Sequence, residues 1–396
     1  MTPRYDIFCA VVDNYGDIGV CWRLARQLSQ EHGLQVRLWV DDLNSLTKLC
    51  PEVDDTLAIQ HRRGVEVRLW HKNFAEILPA DVVIETFACV LPDSYIAAMA
   101  AQAQRPVWIN LEYLSAEDWV DGCHKLPSPH PLLPLTKYFF FPGFTQKTGG
   151  LLLERDLLER RDAFQNDAMQ QQAFWQSIGM ETPTAGTLKI SLFCYENTAL
   201  HDLFNAWTSS AQPVLCLIPE GCILPQVGKY FDDPESHVGS EYVRGNLHVR
   251  VLPFAEQERY DLLLWACDIN FVRGEDSWVR ALWAGQPFVW QIYPQHDAVH
   301  LKKLHAFLTL YKRQLNGAAS QAVQDLWRAW NGGGEAGVTI GLEQAWSAFV
   351  AELSDLKQHA QHCSRQWAEN NLALNLLDFC QEIGTIRALK IEGQQT

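Results

Sequence analysis

The sequence lacks most of the features that would settle a function at a glance. No apolar stretch approaches the roughly 20 residues that cross a bilayer, so a membrane role is not expected. No dense run of Lys or Arg is present, so nucleic acid is not an expected partner. The 11 cysteines include no Cys-x-x-Cys pair. They read as reduced, mostly buried small apolar residues rather than disulfides or metal ligands. The opening Met-Thr-Pro-Arg-Tyr-Asp leads into a strand and not a secretory signal, which points to the cytoplasm. No low-complexity segment occurs. No Gly-x-Ser-x-Gly elbow is found, so a hydrolase triad has no local support.

What is present describes an ordinary globular chain. Its 396 residues exceed one compact core and imply two or three domains. A 47% hydrophobic and 20% charged composition argues against extended disorder. The net charge of −15 suits a basic or neutral partner through field effects on encounter. Fifteen tryptophans would suit sugar handling, but most are expected in the core.

Strand and helix patterns alternate through residues 1–150. Tyr5 to Val12 reads as a buried strand, and Ile18 to His32 as an amphipathic helix ending near Gly33. Val36–Val40, Val65–Leu69, Val82–Glu85 and Val107–Leu111 are further strands. Such alternation predicts parallel pairing with right-handed crossovers. Prolines crowd residues 127–143, so an irregular loop is expected there. Residues 151–185 read as a linker with one connecting helix. Strand candidates resume at Leu188–Cys194, Pro213–Ile218, Leu247–Leu252, Cys267–Val272 and Pro287–Ile292. Residues 186–358 are therefore a second α/β domain, and the end of the chain is helical. The expected fold is two doubly wound, Rossmann-like domains facing a central cleft, which suits two-substrate transfer.

Two stretches concentrate chemistry. Residues 11–19, Val-Val-Asp-Asn-Tyr-Gly-Asp-Ile-Gly, place Asp13 and Asp17 where a strand passes into a helix. Ligands collect at that edge of an open sheet. With Asp41 as a ribose acid, this turn resembles a dinucleotide site. Yet the spacing is Gly-x-x-Gly, and two acids would meet a pyrophosphate at close range. A metal pair lacks an evident third ligand. A general base with a supporting acid is the better chemical reading, and a charged loop the bland one. The second stretch is Arg273-Gly274-Glu275-Asp276-Ser277, between a strand and a helix whose N-terminus could take an anion. Asp276 or Ser277 could cap that helix, and Arg273 could pair with phosphate. Phe193, Tyr195, Phe254, Gln257 and Tyr260 fall on the same edge, where rings could stack a base or simply fill the core. His296 and His300 are spaced like a zinc pair, but Asp297 replaces the required Glu and Pro294 makes the start a loop.

Longer segments carry a resemblance. They are Asp-Asn-Tyr-Gly-Asp-Ile-Gly-Val-Cys-Trp-Arg-Leu-Ala-Arg-Gln-Leu from residue 13, Leu-Glu-Tyr-Leu-Ser-Ala-Glu at 111–117, and Phe-Pro-Gly-Phe-Thr-Gln-Lys-Thr-Gly-Gly-Leu at 141–151. Ser-Leu-Phe-Cys-Tyr-Glu-Asn at 191–197 and Arg-Gly-Glu-Asp-Ser at 273–277 complete the set. Together they resemble the bacterial elongation factor P arginine rhamnosyltransferases. The resemblance implies a glycosyltransferase B-type fold and metal-independent, inverting transfer of L-rhamnose from dTDP-β-L-rhamnose to an arginine of elongation factor P. It implies no cofactor and an acceptor-binding N-terminal domain. A terminal helix near 360–380 would pack back on that domain. By motif, Asp17 is the general base and Asp13 its supporting acid. Phe254 and Tyr260 would flank thymine. Phe193, Tyr195, Gln257, Arg273, Asp276, Ser277 and Tyr293 would be donor contacts, and Glu275 a further catalytic carboxylate. Asn14, Tyr15, Glu112 and Tyr113 are candidates for the acceptor side. The rivals are a same-fold transferase with other substrates, a dinucleotide-dependent oxidoreductase and a non-catalytic sugar-nucleotide binder.

Overall fold

The computed structural model describes residues 3–12, 15–71, 77–294, 299–332 and 340–393. Two compact units divide the chain: Met1–Arg155 with Trp367–Thr396, and Asp156–Gln366.

The strands of the first unit are β1 (Arg4–Cys9), β2 (Gln35–Val40), β3 (Ile59–Arg62), β4 (Val65–Leu69), β5 (Val82–Thr86), β6 (Val107–Leu111), β7 (Pro127–Pro129) and β8 (Thr136–Phe140). Its helices are α1 (Gly16–Gln30), α2 (Leu43–Leu49), α3 (Asp93–Ala101) and α4 (Val120–Cys123). The sheet order is β3-β4-β2-β1-β5-β6-β8-β7, parallel except for β3 on β4 and β7 on β8. The strand order reverses at β1 and β5, so a crevice opens beyond their carboxyl ends. Every residue of β5 is buried, as a strand covered on both faces requires.

Strand β1 is shorter than the Tyr5–Val12 reading. It ends at Cys9, and Val12 is 72% exposed. The backbone N–H groups of Val11 and Val12 leave the ladder and donate to carboxylates of Asp41 and Asp17, each at 2.9 Å. The proline-rich segment also departs from expectation. It forms β7 and β8, with Pro127 and Pro129 on the outermost strand, where a missing N–H costs no ladder bond. Strand β3 had no signal of its own; it is joined to β4 by a turn with positive φ at Arg63 (48°) and Gly64 (84°), as a tight hairpin demands.

In the second unit, α5 (Leu157–Asn166) and α6 (Ala168–Ser177) replace the single connecting helix expected from sequence. Asp167 ends one and caps the other, accepting from the Met169 N–H at 2.8 Å. The strands are β9 (Leu188–Leu192), β10 (Val214–Pro219), β11 (Glu241–Arg244), β12 (Leu247–Leu252), β13 (Ile269–Arg273) and β14 (Phe288–Gln291). Helices α7 (Leu200–Thr208), α8 (Leu224–Phe231), α9 (Gln257–Ala266), α10 (Asp276–Ala284), α11 (Val299–Tyr311), α12 (Gly317–Trp330), α13 (Leu342–Ala351) and α14 (Leu353–Trp367) complete it. The sheet order, β11-β12-β10-β9-β13-β14, reverses at β9 and β13. Helices α9 and α10 are tied by a buried, two-pronged pair: Arg280 donates to both Asp261 oxygens at 2.8 and 2.7 Å.

A last helix, α15 (Leu372–Gly393), belongs to the first unit. The terminal helix expected near 360–380 is thus two helices. Asn371 separates them, accepting from the Ala373 N–H at 3.0 Å while donating to the Leu153 carbonyl at 2.7 Å. Among the described residues, no helix is long and apolar enough to cross a membrane.

Candidate functional site

Each unit gathers polar and aromatic side chains at its own strand reversal. In the first, Asp17 lies in the opening turn of α1 and is 2% exposed. The helix dipole favours a negative charge there. Its bond to the Val12 N–H fixes one carboxylate oxygen. Tyr15 occupies the N-cap position without a side-chain cap bond. Asp13 and Asn14 lie outside the described residues, as does His296. Asp41, the ribose acid of the dinucleotide reading, is instead engaged by the Val11 N–H.

Glu112 and Tyr113 follow β6, two strands from β1. The Glu112 carboxylate accepts from Asn110 Nδ2 at 2.5 Å. Tyr113 stacks on Phe87 with centroids 4.3 Å apart and planes 18° from parallel. Phe87 and Ala88 both take left-handed backbone, with φ of 56° and 55°. Such residues cost about 1–3 kcal/mol each and persist only where surroundings enforce them. Here the Phe87 N–H donates to the Leu111 carbonyl at 2.7 Å and the Ala88 N–H to Asn110 Oδ1 at 3.2 Å. One turn along α1 from Asp17, Cys21 Sγ contacts Thr86 Oγ1 at 3.3 Å. The Phe87 turn therefore abuts the start of α1.

In the second unit, Arg273 ends β13 and is 7% exposed. Its guanidinium carbon lies 4.4 Å from the Phe193 ring centroid and 4.6 Å from that of Tyr195. Stacked guanidinium faces leave the in-plane N–H groups for hydrogen bonds. Phe193 meets Tyr260 and Phe254 edge to face, at 5.6 and 6.3 Å. Tyr195 meets Tyr293 the same way at 5.4 Å. Tyr293 is 43% exposed, whereas burial raises the Tyr260 phenol well above its usual range. Gln257 is buried as the first residue of α9. The sequence candidates of this unit thus converge on one ring-lined edge.

Capping of α10 differs from the expectation. Glu275 holds the N-cap position and makes no side-chain cap bond, and Asp276 opens the helix. Ser277 bridges the turn instead: it accepts from the Arg273 N–H at 3.0 Å and donates to the Arg273 carbonyl. Gly274, at φ 61°, makes that turn possible. Its carbonyl accepts from the Trp290 indole at 2.8 Å, and Trp290 stacks on Trp278 at 3.8 Å.

Three supporting residues escaped the sequence reading. Gln291 Oε1 accepts from the Tyr195 N–H at 2.9 Å, setting that ring's backbone. Cys222 Sγ accepts from Arg273 Nη1 at 3.1 Å. Phe87 backs Tyr113. Gln291 sits at the carboxyl end of β14, a position that could have flagged it; Cys222 and Phe87 carry no local signal. No cluster of three His, Cys, Asp or Glu able to hold a metal occurs among the described residues.

Comparison with known proteins narrows the chemistry. Residues 5–381 match the model of a family described as elongation factor P (EF-P) rhamnosyltransferase EarP. The chain is 52% identical over 380 residues to the protein-arginine rhamnosyltransferase of Pseudomonas putida, covering 96% of this chain and 99% of that one. It is 47% identical over 376 residues to the protein of the same name from Pseudomonas aeruginosa, covering 95% and 98%. A solved structure described as the basis for EarP-mediated arginine glycosylation of EF-P superposes with a TM-score of 0.67. It is 37% identical, covering 96% of this chain and 99% of that one. MurG of Acinetobacter baumannii, 14% identical with a TM-score of 0.50 and coverage of 96% and 100%, shares the fold.

Proposed function

The chain belongs to the EF-P rhamnosyltransferase family of glycosyltransferases, and we propose that it transfers L-rhamnose from dTDP-β-L-rhamnose to one arginine of EF-P, with inversion and without a metal. The observation that carries this reading is the family match over residues 5–381, joined by the Asp17 turn and the Arg273 turn at two strand reversals.

An arginine side chain stays protonated near neutral pH and is a poor nucleophile. Carboxylates must localise its charge and take a proton as it attacks. In our reading Asp17, supported by Asp13, is that base. A guanidinium nitrogen forms a bond to the anomeric carbon while the bond from that carbon to the donor's phosphate oxygen breaks. The proton passes to Asp17, and dTDP leaves with the electron pair. The sugar passes through an oxocarbenium-like state, as in glycoside hydrolysis. Arg273 and the N-terminus of α10 stabilise the charge gathering on the diphosphate. Phe254 and Tyr260 flank thymine, with Gln257 on its polar edge. Phe193, Tyr195 and Tyr293 line the donor, Asp276 and Ser277 contact it, and Glu275 is a further catalytic carboxylate. Tyr15, Asn14, Glu112 and Tyr113 serve the acceptor arginine. Eleven free cysteines, nine of them buried, suit the reducing cytoplasm in which we place the reaction.

The test is transfer in excess EDTA, followed by NMR of the glycosylated product. An α-linked rhamnose formed at an undiminished rate supports inversion without a metal. A β-linkage, or loss of activity restored by a divalent cation, overturns those parts of the reading.

A further inference from the structure

Arg273 is buried, yet stacking alone does not orient it. Contacts of 4.4 and 4.6 Å with the Phe193 and Tyr195 rings hold the guanidinium in place but do not fix where its N–H groups point. An in-plane hydrogen bond removes that freedom. Among the described residues, the side chain makes one: Nη1 donates to Cys222 Sγ at 3.1 Å. Cys222 lies between β10 and α8, and its thiol is itself oriented, donating to the Cys194 carbonyl at 3.7 Å. With the S–H turned that way, the sulfur lone pairs face Arg273. The loop is seated on the same ring cluster, since a Cβ at Gly221 would stand 3.8 Å from the Phe193 ring.

We propose that Cys222 is a positioning residue for the donor diphosphate, holding the Arg273 guanidinium across Phe193 and Tyr195 so that its remaining N–H groups face the leaving group. The inference rests on the donor role given to Arg273 above. Sulfur suits the task because it is a weak acceptor. It orients the cation without neutralising it, whereas a carboxylate there would repel the diphosphate. It also yields an N–H readily to a phosphate oxygen.

The test compares dTDP with thymidine, which has the base and sugar but no phosphate. Cys222→Ala should weaken dTDP binding and raise the donor KM by roughly three- to tenfold, the scale of one modest hydrogen bond, with kcat changed less. Thymidine affinity should not move. Cys222→Ser restores an acceptor and should return dTDP affinity close to that of the unaltered protein. Unchanged dTDP binding in Cys222→Ala overturns the proposal, and so does a parallel loss for dTDP and thymidine, which would mark a purely structural role. Arg273→Ala in the same titrations separates the two levels. If it spares the preference for dTDP over thymidine, the donor role of Arg273 falls and the Cys222 proposal with it. If it abolishes that preference while Cys222→Ala does not reduce it, the Cys222 proposal alone falls.

Discussion

Replacing Asp17 by Asn removes a base and keeps the shape of the side chain. The side chain is 2% exposed and accepts the Val12 N–H at 2.9 Å, a bond that an amide oxygen can also accept. The local fold should therefore survive. What is lost in stability is the favourable placing of a charge in the first turn of α1, about 0.3–1 kcal/mol, or a Tm lower by no more than a few degrees. What is lost in catalysis is general-base assistance, about 10²- to 10⁴-fold. Single-turnover transfer to EF-P, followed by intact mass, measures the second quantity, and dTDP titration checks that the donor side is intact. Full transfer by Asp17→Asn would refute the base assignment. Lost dTDP affinity would refute the division of acceptor and donor duties between the units.

Phe254→Ala should weaken dTDP by about 1–3 kcal/mol, the worth of a stacked base, measured by calorimetry; an unchanged affinity would return Phe254 to the core. Arg280→Met strands the buried Asp261 carboxylate and should cost about 3–5 kcal/mol in urea unfolding, with Arg280→Met/Asp261→Leu recovering much of it. Burial, aided by the nearby Lys125 charge, lowers the His124 imidazole from 6.5 to about 4. The unfolded chain therefore binds the proton more readily. This contribution to stability is fully present above pH 6.5 and is lost as pH falls from there towards about 4. His124→Asn, whose amide oxygen can replace Nδ1 as acceptor for the Phe141 N–H, should flatten that part of the curve.

The central strands were legible because both of their faces are buried. In Val-Val-Ile-Glu-Thr the apolar run shows no alternation before it reaches the buried Glu85, bonded to Lys137, and Thr86. Strand ends were not legible, since hydrophobicity persists past the last ladder bond: Val11 and Val12 are apolar yet bonded to acids. The edge strands β3, β7 and β11 were missed because an edge needs neither continuous burial nor freedom from proline. The Arg273 turn was visible as charge beside glycine after an apolar run. Which residue caps α10 was not, because Ser277 had a nearer partner in the Arg273 backbone. The groups that hold site residues in place, Gln291, Cys222 and Phe87, come from other strands and loops. Only folding brings them near.

The most direct measurement is the mass of EF-P after incubation with the enzyme and dTDP-β-L-rhamnose, followed by fragmentation to locate the change. A gain of one deoxyhexose on a single arginine, dependent on both enzyme and donor, is expected. An unmodified EF-P, or a sugar on another residue type, would contradict it.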